Sequence, residues 1–221
     1  ETGSASPVSP SVPSVPEGAT PAFIASELQE AIAYHQRGEH AQALERYQRL
    51  LTSPQPPLVA VLNGSALLRG AGQLDDAMAV LRRGIACYPG EAGPWNNLGN
   101  CHLDRRELQQ AVVAYRRALA LQPHFADARI SLGSCLTKLG HPHLAYASIC
   151  QGHRFAADAA ERQRYLLPLV EALLALPAER RGDAASLERL VRQIEADIRS
   201  QAGDGDPSKA GLLLSQLWMQ L

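Results

Sequence analysis

Neutral polar residues recur at a fixed interval along the middle of the chain, and their chemistry suits the binding of a peptide main chain. The recurring positions, 34 residues apart, hold Gln29, Asn63, Asn97 and Ser131. Asn100 and Ser134 follow the last two of these by three residues, about one helical turn. A carboxamide offers both hydrogen-bond donors and acceptors, so repeated Asn side chains can bind an extended main chain without reading its side chains. We call these residues the polar row and treat them as candidate peptide-binding residues; the alternative is that they only face solvent.

The residues around the polar row have the spacing of two short paired helices. Within a repeat of 34 residues, the pattern W-x2-L-G, then A-x3-F, then P is matched by Trp95, Leu98, Gly99, Ala111, Tyr115, Ala118 and Pro123. Small Gly99 and Ala111 let two antiparallel helices approach closely, and Pro123 ends the second helix. The chain is therefore similar to the tetratricopeptide-repeat (TPR) family.

This resemblance implies an all-α fold, a right-handed α-solenoid of about four TPR helix pairs with C-terminal capping helices. Repeating the pattern predicts an array over residues 23–159 with repeats 24–57, 58–91, 92–125 and 126–159. Residues 160–202 are predicted to form capping helices, and residues 203–221 a linker and a C-terminal amphipathic helix. Residues 1–22 are a Pro/Ser-rich segment, expected to be extended, that serves as a stiff spacer or as a docking peptide for an SH3-like domain.

Two places in the array depart from the pattern. Glu27 and Glu30 occupy signature positions of the first repeat that do not fit the family pattern. A glycine, which can adopt a positive φ, recurs at the bend between the paired helices at Gly38, Gly72 and Gly140. The third repeat has Arg106 at this bend, so we expect its turn to be made differently.

The family resemblance also gives the polar row a role, because in this family the first helix of each pair lines a concave face. Through Asn63 and Asn97, the row resembles the asparagine ladder in the TPR arm of O-linked N-acetylglucosamine transferases, which holds substrate backbones. The resemblance implies a non-enzymatic protein-protein interaction scaffold that binds an extended peptide or a partner helix in the concave groove. The alternative is the substrate-recognition arm of a larger enzyme, such as a glycosyltransferase or methyltransferase, whose catalytic domain follows Leu221.

A second groove of this family, the dicarboxylate clamp for chaperone C-termini, is not expected. Leu28 and Ile32 occupy clamp positions of the first repeat, and Asn97 stands where the clamp has Arg. Lys138, together with Arg129, gives the fourth repeat a positive potential that can receive an acidic peptide. We therefore add Lys138 to the candidate peptide-binding residues.

The composition and motifs exclude several other functions. The net charge is −1, which does not steer the chain toward nucleic acid, and no apolar run is long enough for a membrane span. The four cysteines lack zinc-site spacing and are expected to be reduced structural thiols. No catalytic motif is present, and His141-Pro142-His143 lacks further ligands for a metal. We expect no enzymatic activity and no cofactor, and the compartment stays open, with the cytoplasm slightly favoured.

The sequence also predicts two surfaces outside the polar row. The amphipathic helix 207–221 either caps the array, leads into a further domain or mediates self-association. Arginines spaced by 34 residues on the second helices, predicted to form a solvated outer face, are Arg49, Arg83 and Arg117.

Overall fold

The structure, a computed structural model, describes residues 20–158, 164–177 and 192. Over these residues it contains α-helices and no β-strand. In chain order they are α1 (Pro21–Gln36), α2 (His40–Leu51), α3 (Leu58–Gly70), α4 (Leu74–Cys87), α5 (Ala92–Asp104), α6 (Leu108–Leu121), α7 (Ala126–Lys138), α8 (Pro142–Phe155) and α9 (Leu166–Leu174). The predicted extended segment up to residue 19, most of the predicted capping region beyond residue 177 and the helix 207–221 lie outside the described residues.

The chain divides into two compact units, residues 1–97 and residues 98–221, which we call the first and the second unit. The boundary falls within α5. In the first unit α1 packs against α2, α2 against α3, and α3 against α4. In the second unit α6 packs against α7, and α7 against α8. Within each unit these helices thus pack on their neighbours in the sequence, which is the arrangement that a helical repeat requires.

The helix α1 begins at Pro21, and two features at its N-terminus favour this start. Thr20 has an extended conformation, and its hydroxyl accepts a hydrogen bond of 3.3 Å from the backbone N–H of Phe23. Pro21 then occupies the first turn, where a backbone N–H would have no intrahelical partner.

An ion pair replaces the apolar signature contact in the first repeat. Arg46 on α2 lies 2.7 Å from Glu27 and 2.8 Å from Glu30, both on α1. The Arg46 guanidinium also lies over the ring of Tyr34, 5.7 Å from its centroid. Burial lowers the pKa of Arg46, but the charges of Glu27 and Glu30 raise it, and the net pKa is above the ordinary value. The two glutamates that do not fit the family pattern are therefore stabilised by a charge of opposite sign on the paired helix.

The hydrophobic core of the first unit is built mainly from small and aliphatic residues around the buried ring of Tyr47. Its buried members are Ala31, Ala43, Tyr47, Leu50 and Ala60, with Ile24, Leu28, Tyr34 and Leu67 packed against them. Glycines allow similarly close packing elsewhere. A Cβ added at Gly99 would lie 2.6 Å from the ring of Tyr115, so the two helices of the third pair could not keep this distance with a larger residue.

All four bends between paired helices have the same backbone geometry, so the prediction that the third turn is made differently is wrong. Arg106 has a φ of 61°, against 77° to 79° at the three glycines. The backbone N–H of Glu107 donates a hydrogen bond of 2.9 Å to the carbonyl of His102. The backbone N–H of Glu39 donates one of 3.0 Å to the carbonyl of Tyr34, and both bonds follow the Schellman pattern. The turn is required by how the paired helices pack, and Arg106 adopts it despite the steric cost of its Cβ.

The second unit contains the capping helix α9, which packs on α8 and α7. The Tyr165 hydroxyl, just before α9, donates a hydrogen bond of 2.6 Å to Asp127 on α7. Pro168 lies in the first turn of α9, where its missing N–H leaves no intrahelical hydrogen bond unmade. None of the described helices is both long enough and apolar enough to cross a membrane.

Candidate peptide-binding site

In the first unit, Asn63 of the polar row is held by a buried tyrosine. Asn63 lies half-buried on α3, and its Nδ2 donates a hydrogen bond of 3.0 Å to the hydroxyl of Tyr47 on α2. Burial raises the pKa of Tyr47, and the hydrogen bond from Asn63 lowers it by less, so the pKa lies above its ordinary value. The hydroxyl is therefore neutral at physiological pH and available as a hydrogen-bond partner.

Asn97, one period later, is held by a backbone carbonyl. Its Nδ2 donates a hydrogen bond of 3.2 Å to the carbonyl oxygen of Leu62. Because Leu62 immediately precedes Asn63, this contact places Asn97 on α5 beside Asn63 on α3. The structure thus brings these two predicted residues together on neighbouring first helices.

The two Asn side chains have different partners because the preceding second helices differ. In α2, the helix before Asn63, the signature aromatic position holds Tyr47; in α4, the helix before Asn97, it holds Leu81. Leu81 is fully buried and carries no polar group, so the Asn97 amide uses a carbonyl instead. The third predicted residue of this unit, Gln29, is exposed on α1.

The other predicted residues belong to the second unit. The Oδ1 of Asn100 accepts a hydrogen bond of 2.7 Å from the hydroxyl of Tyr115 on α6. Ser131 and Ser134 are half-buried on α7, and Lys138 is exposed at the end of this helix. The predicted residues of this unit therefore comprise one carboxamide with a bonded oxygen, two hydroxyls and one solvent-accessible positive charge.

Two tyrosines at the aromatic signature position of the repeat, Tyr47 and Tyr115, have a polar role that the repeat pattern alone did not predict. Tyr47 and Tyr115 are fully buried, and each hydroxyl is bonded to an Asn of the polar row. A signal for this was present, because a tyrosine hydroxyl at a buried position needs a hydrogen-bond partner. The neighbouring repeats have Leu81 and Ile149 at the same position, and neither side chain carries a hydroxyl.

The arginines of the second helices do more than face solvent. Arg83 and Arg117 are exposed, as predicted, whereas Arg49 is half-buried. However, the guanidinium of Arg83 also donates hydrogen bonds to the carbonyls of Leu51 and Ser53, at the end of α2 and in the loop that follows. A cation at this place satisfies carbonyls that have no intrahelical donor. Arg83 therefore stabilises the connection between the first and second helix pairs.

The described residues contain no group of three or more His, Cys, Asp or Glu side chains that could hold a metal ion. The four cysteines are free thiols, and Cys101 and Cys135 are buried. Burial raises the pKa of the Cys135 thiol, with a smaller opposing effect of Lys138. This thiol is therefore neutral at physiological pH and a poor nucleophile.

Comparison with known proteins agrees with this architecture. The family model described as tetratricopeptide repeat matches residues 92–125. A crystal structure of MamA protein superposes with a TM-score of 0.62 at 18% identity, covering 83% of this chain and 98% of that one. TTC0263, a thermophilic TPR protein in Thermus thermophilus, gives a TM-score of 0.65 at 17% identity, covering 89% and 99%. A MamA fragment from Desulfovibrio magneticus RS-1 gives 0.53 at 20% identity, covering 60% and 75%. No curated protein matches by sequence.

The similarity to the solved structures establishes the fold, and the predicted helix-pair architecture is confirmed. TPR proteins act as protein-interaction scaffolds and typically have no catalytic activity. The comparisons give no support to the alternative of a recognition arm in a larger enzyme. Residues 92–125 are a tetratricopeptide repeat, and the chain has the all-α solenoid fold of tetratricopeptide-repeat proteins.

Proposed function

We propose that the chain is a non-enzymatic scaffold that binds an extended peptide or a partner helix through the polar row on its first helices. The observation that carries the proposal is the adjacency of Asn63 and Asn97, since Asn97 is bonded to the carbonyl of the residue before Asn63. Each carboxamide has two donor hydrogens and one acceptor oxygen, and the contacts within the protein use only part of this capacity. The rest is available to a ligand.

The second unit supports the same function with a different chemistry. Asn100 keeps both N–H donors of its amide, because only its oxygen is bonded to Tyr115. Lys138 lies in the same unit and is exposed. We expect Asn100 to donate hydrogen bonds to main-chain carbonyls of a peptide, and Lys138 to bind a carboxylate of the same peptide segment.

Selection of binding peptides from a displayed library of short random sequences, followed by calorimetric titration of a selected peptide, tests the proposal. The double variant Asn63→Ala with Asn97→Ala should bind the peptide about tenfold or more weakly, because two hydrogen bonds of about 1 kcal/mol each are lost. Circular dichroism of the variant first establishes that it is folded, since Asn97 also contacts Leu62.

The matched control is the double variant Arg82→Ala with Arg116→Ala, which removes two exposed side chains from the second helices. This control should bind the peptide with unchanged affinity. If the Asn variant also binds with unchanged affinity, the polar row is not the binding site.

A further inference from the structure

We propose that the first unit presents the carboxamide oxygens of Asn63 and Asn97 to its ligand, so that it recognises main-chain N–H groups and not carbonyls. The proposal deepens the proposed function and rests on it. It assigns Tyr47 and the backbone carbonyl of Leu62 as the groups that orient the two side chains. Neither residue belongs to the polar row.

The orientation of Asn97 follows from the chemistry of its partner. A carbonyl oxygen only accepts hydrogen bonds, so the atom of Asn97 that lies 3.2 Å from the Leu62 oxygen is the amide nitrogen. The carboxamide is planar, and fixing its nitrogen on Leu62 directs the oxygen away from that carbonyl. Among the described residues this oxygen contacts only the Asn96 amide, at 3.5 Å, which is a weak contact.

Asn63 has the same orientation, with its nitrogen toward the hydroxyl of Tyr47. The Asn63 nitrogen is bonded to the Tyr47 hydroxyl at 3.0 Å, which leaves the Asn63 oxygen as the available acceptor. The Tyr47 ring is completely buried, so its hydroxyl occupies a fixed position. Packing of α2 therefore fixes the position of the group to which Asn63 on α3 is bonded, and Tyr47 is a positioning residue.

Two neighbouring acceptors select for a ligand that supplies donors. In an extended peptide these donors are backbone N–H groups, which every residue except proline carries. We therefore expect the first unit to reject a peptide that has a proline or an N-methylated residue at the position bound by Asn63. Asn100 in the second unit has its oxygen engaged by Tyr115 and its N–H groups available, which is the opposite polarity.

The substitution Asn63→Asp tests the proposed polarity, that is, whether the oxygen or the nitrogen of the Asn63 side chain faces the ligand. The probe is a peptide selected by display. Aspartate keeps the acceptor oxygen of asparagine, replaces the amide nitrogen with a second acceptor oxygen of similar geometry, and can accept a hydrogen bond from the Tyr47 hydroxyl. We expect Asn63→Ala to lower the affinity about fivefold, as for the loss of one hydrogen bond, and Asn63→Asp to keep it within about twofold of the wild type. Titration at low and high salt separates the hydrogen bond from the added charge.

The outcomes distinguish the proposal from the function on which it rests. If both variants lose affinity equally, Asn63 binds the peptide through its nitrogen, and the proposed polarity is overturned while the function stands. If neither variant loses affinity, the proposed function fails at this position, and the polarity fails with it.

The positioning role of Tyr47 has its own test, which also works without a ligand. Tyr47→Phe removes the hydroxyl and should weaken peptide binding several-fold, and the Asn63 side-chain NH2 signals in the NMR spectrum should shift. The matched control is Tyr88→Phe, because the Tyr88 hydroxyl makes a hydrogen bond of 2.8 Å to the Pro56 carbonyl in the same unit, away from the polar row. Unchanged Asn63 signals in Tyr47→Phe would overturn the role of Tyr47.

Discussion

The Arg46 guanidinium lies 2.7 Å from the Glu27 carboxylate, and only 11% of the Glu27 side chain is exposed. One oxygen of Glu27, Oε2, is buried and has no hydrogen-bond partner in the part of the chain that the structure describes. The ion pair stands at the position where the third repeat has Trp95, so the first helix pair depends on charge where the third depends on an aromatic ring.

Loss of Arg46 should therefore destabilise the first unit. Removing one partner of a fully buried ion pair costs about 3 to 5 kcal/mol, and because Arg46 is partly exposed we expect Arg46→Leu to cost about 2 to 3 kcal/mol. Urea unfolding monitored by circular dichroism measures this cost. Adding Glu27→Leu should recover most of it, because the unpaired charge is then absent. Equal instability of the single and double variants would contradict this explanation.

Arg106 should be less favourable than glycine at the bend between α5 and α6. Its φ of 61° is costly for a residue with a Cβ. We expect Arg106→Gly to raise the free energy of unfolding by about 0.5 to 1 kcal/mol, after allowance for the flexibility of glycine in the unfolded chain. The reciprocal change, Gly72→Ala, should lower it by about 1 kcal/mol, since only φ opposes the new Cβ there. A destabilised Arg106→Gly protein would show that the arginine side chain contributes more than the strain costs.

Asn96 is a buried polar residue whose replacement by leucine should stabilise the protein. It is 7% exposed, its Oδ1 finds no hydrogen-bond partner among the described residues, and Leu62 holds the same position one repeat earlier. Since an unsatisfied buried group costs about 1 to 3 kcal/mol, Asn96→Leu should raise the thermal midpoint. The matched variant Asn97→Leu loses the hydrogen bond to the Leu62 carbonyl and should lower the midpoint. The opposite order of the two midpoints would refute the prediction.

Tyr146 should make the protein sensitive to alkaline pH. Burial, followed by its hydrogen bond and electrostatic interaction with Cys150, raises the pKa of Tyr146 from 10.0 to about 12. Because the folded pKa is above the unfolded one, the stability that neutral Tyr146 contributes is complete below pH 10 and is lost as the pH rises through about 12. Tyr146→Phe cannot ionise, so its urea midpoint should fall less than that of the wild type over this range. Parallel decreases in both proteins would argue against a role for this phenol.

Much of the architecture was predictable because a helical repeat is a local structure. The spacing of Trp95, Gly99 and Tyr115 was sufficient to predict paired helices, since each helix packs on its sequence neighbours and needs no distant partner. The error at Arg106 has a related cause. Residue preference argued against a left-handed turn there, but the packing of α5 and α6 imposes one. The conformational preference of a single residue has less influence on the turn than the packing of the two helices that it connects.

The sequence by itself determined which residues can form the polar row, because the repeat period places Asn63 and Asn97 at equivalent positions on successive first helices. Only the tertiary structure decided which atom of each side chain is available to a ligand. That choice depends on groups distant in the chain, the hydroxyl of Tyr47 for Asn63 and the carbonyl of Leu62 for Asn97. A carboxamide has nearly the same shape in both orientations, so its direction is set by the donors and acceptors that packing brings near it and not by its own sequence position.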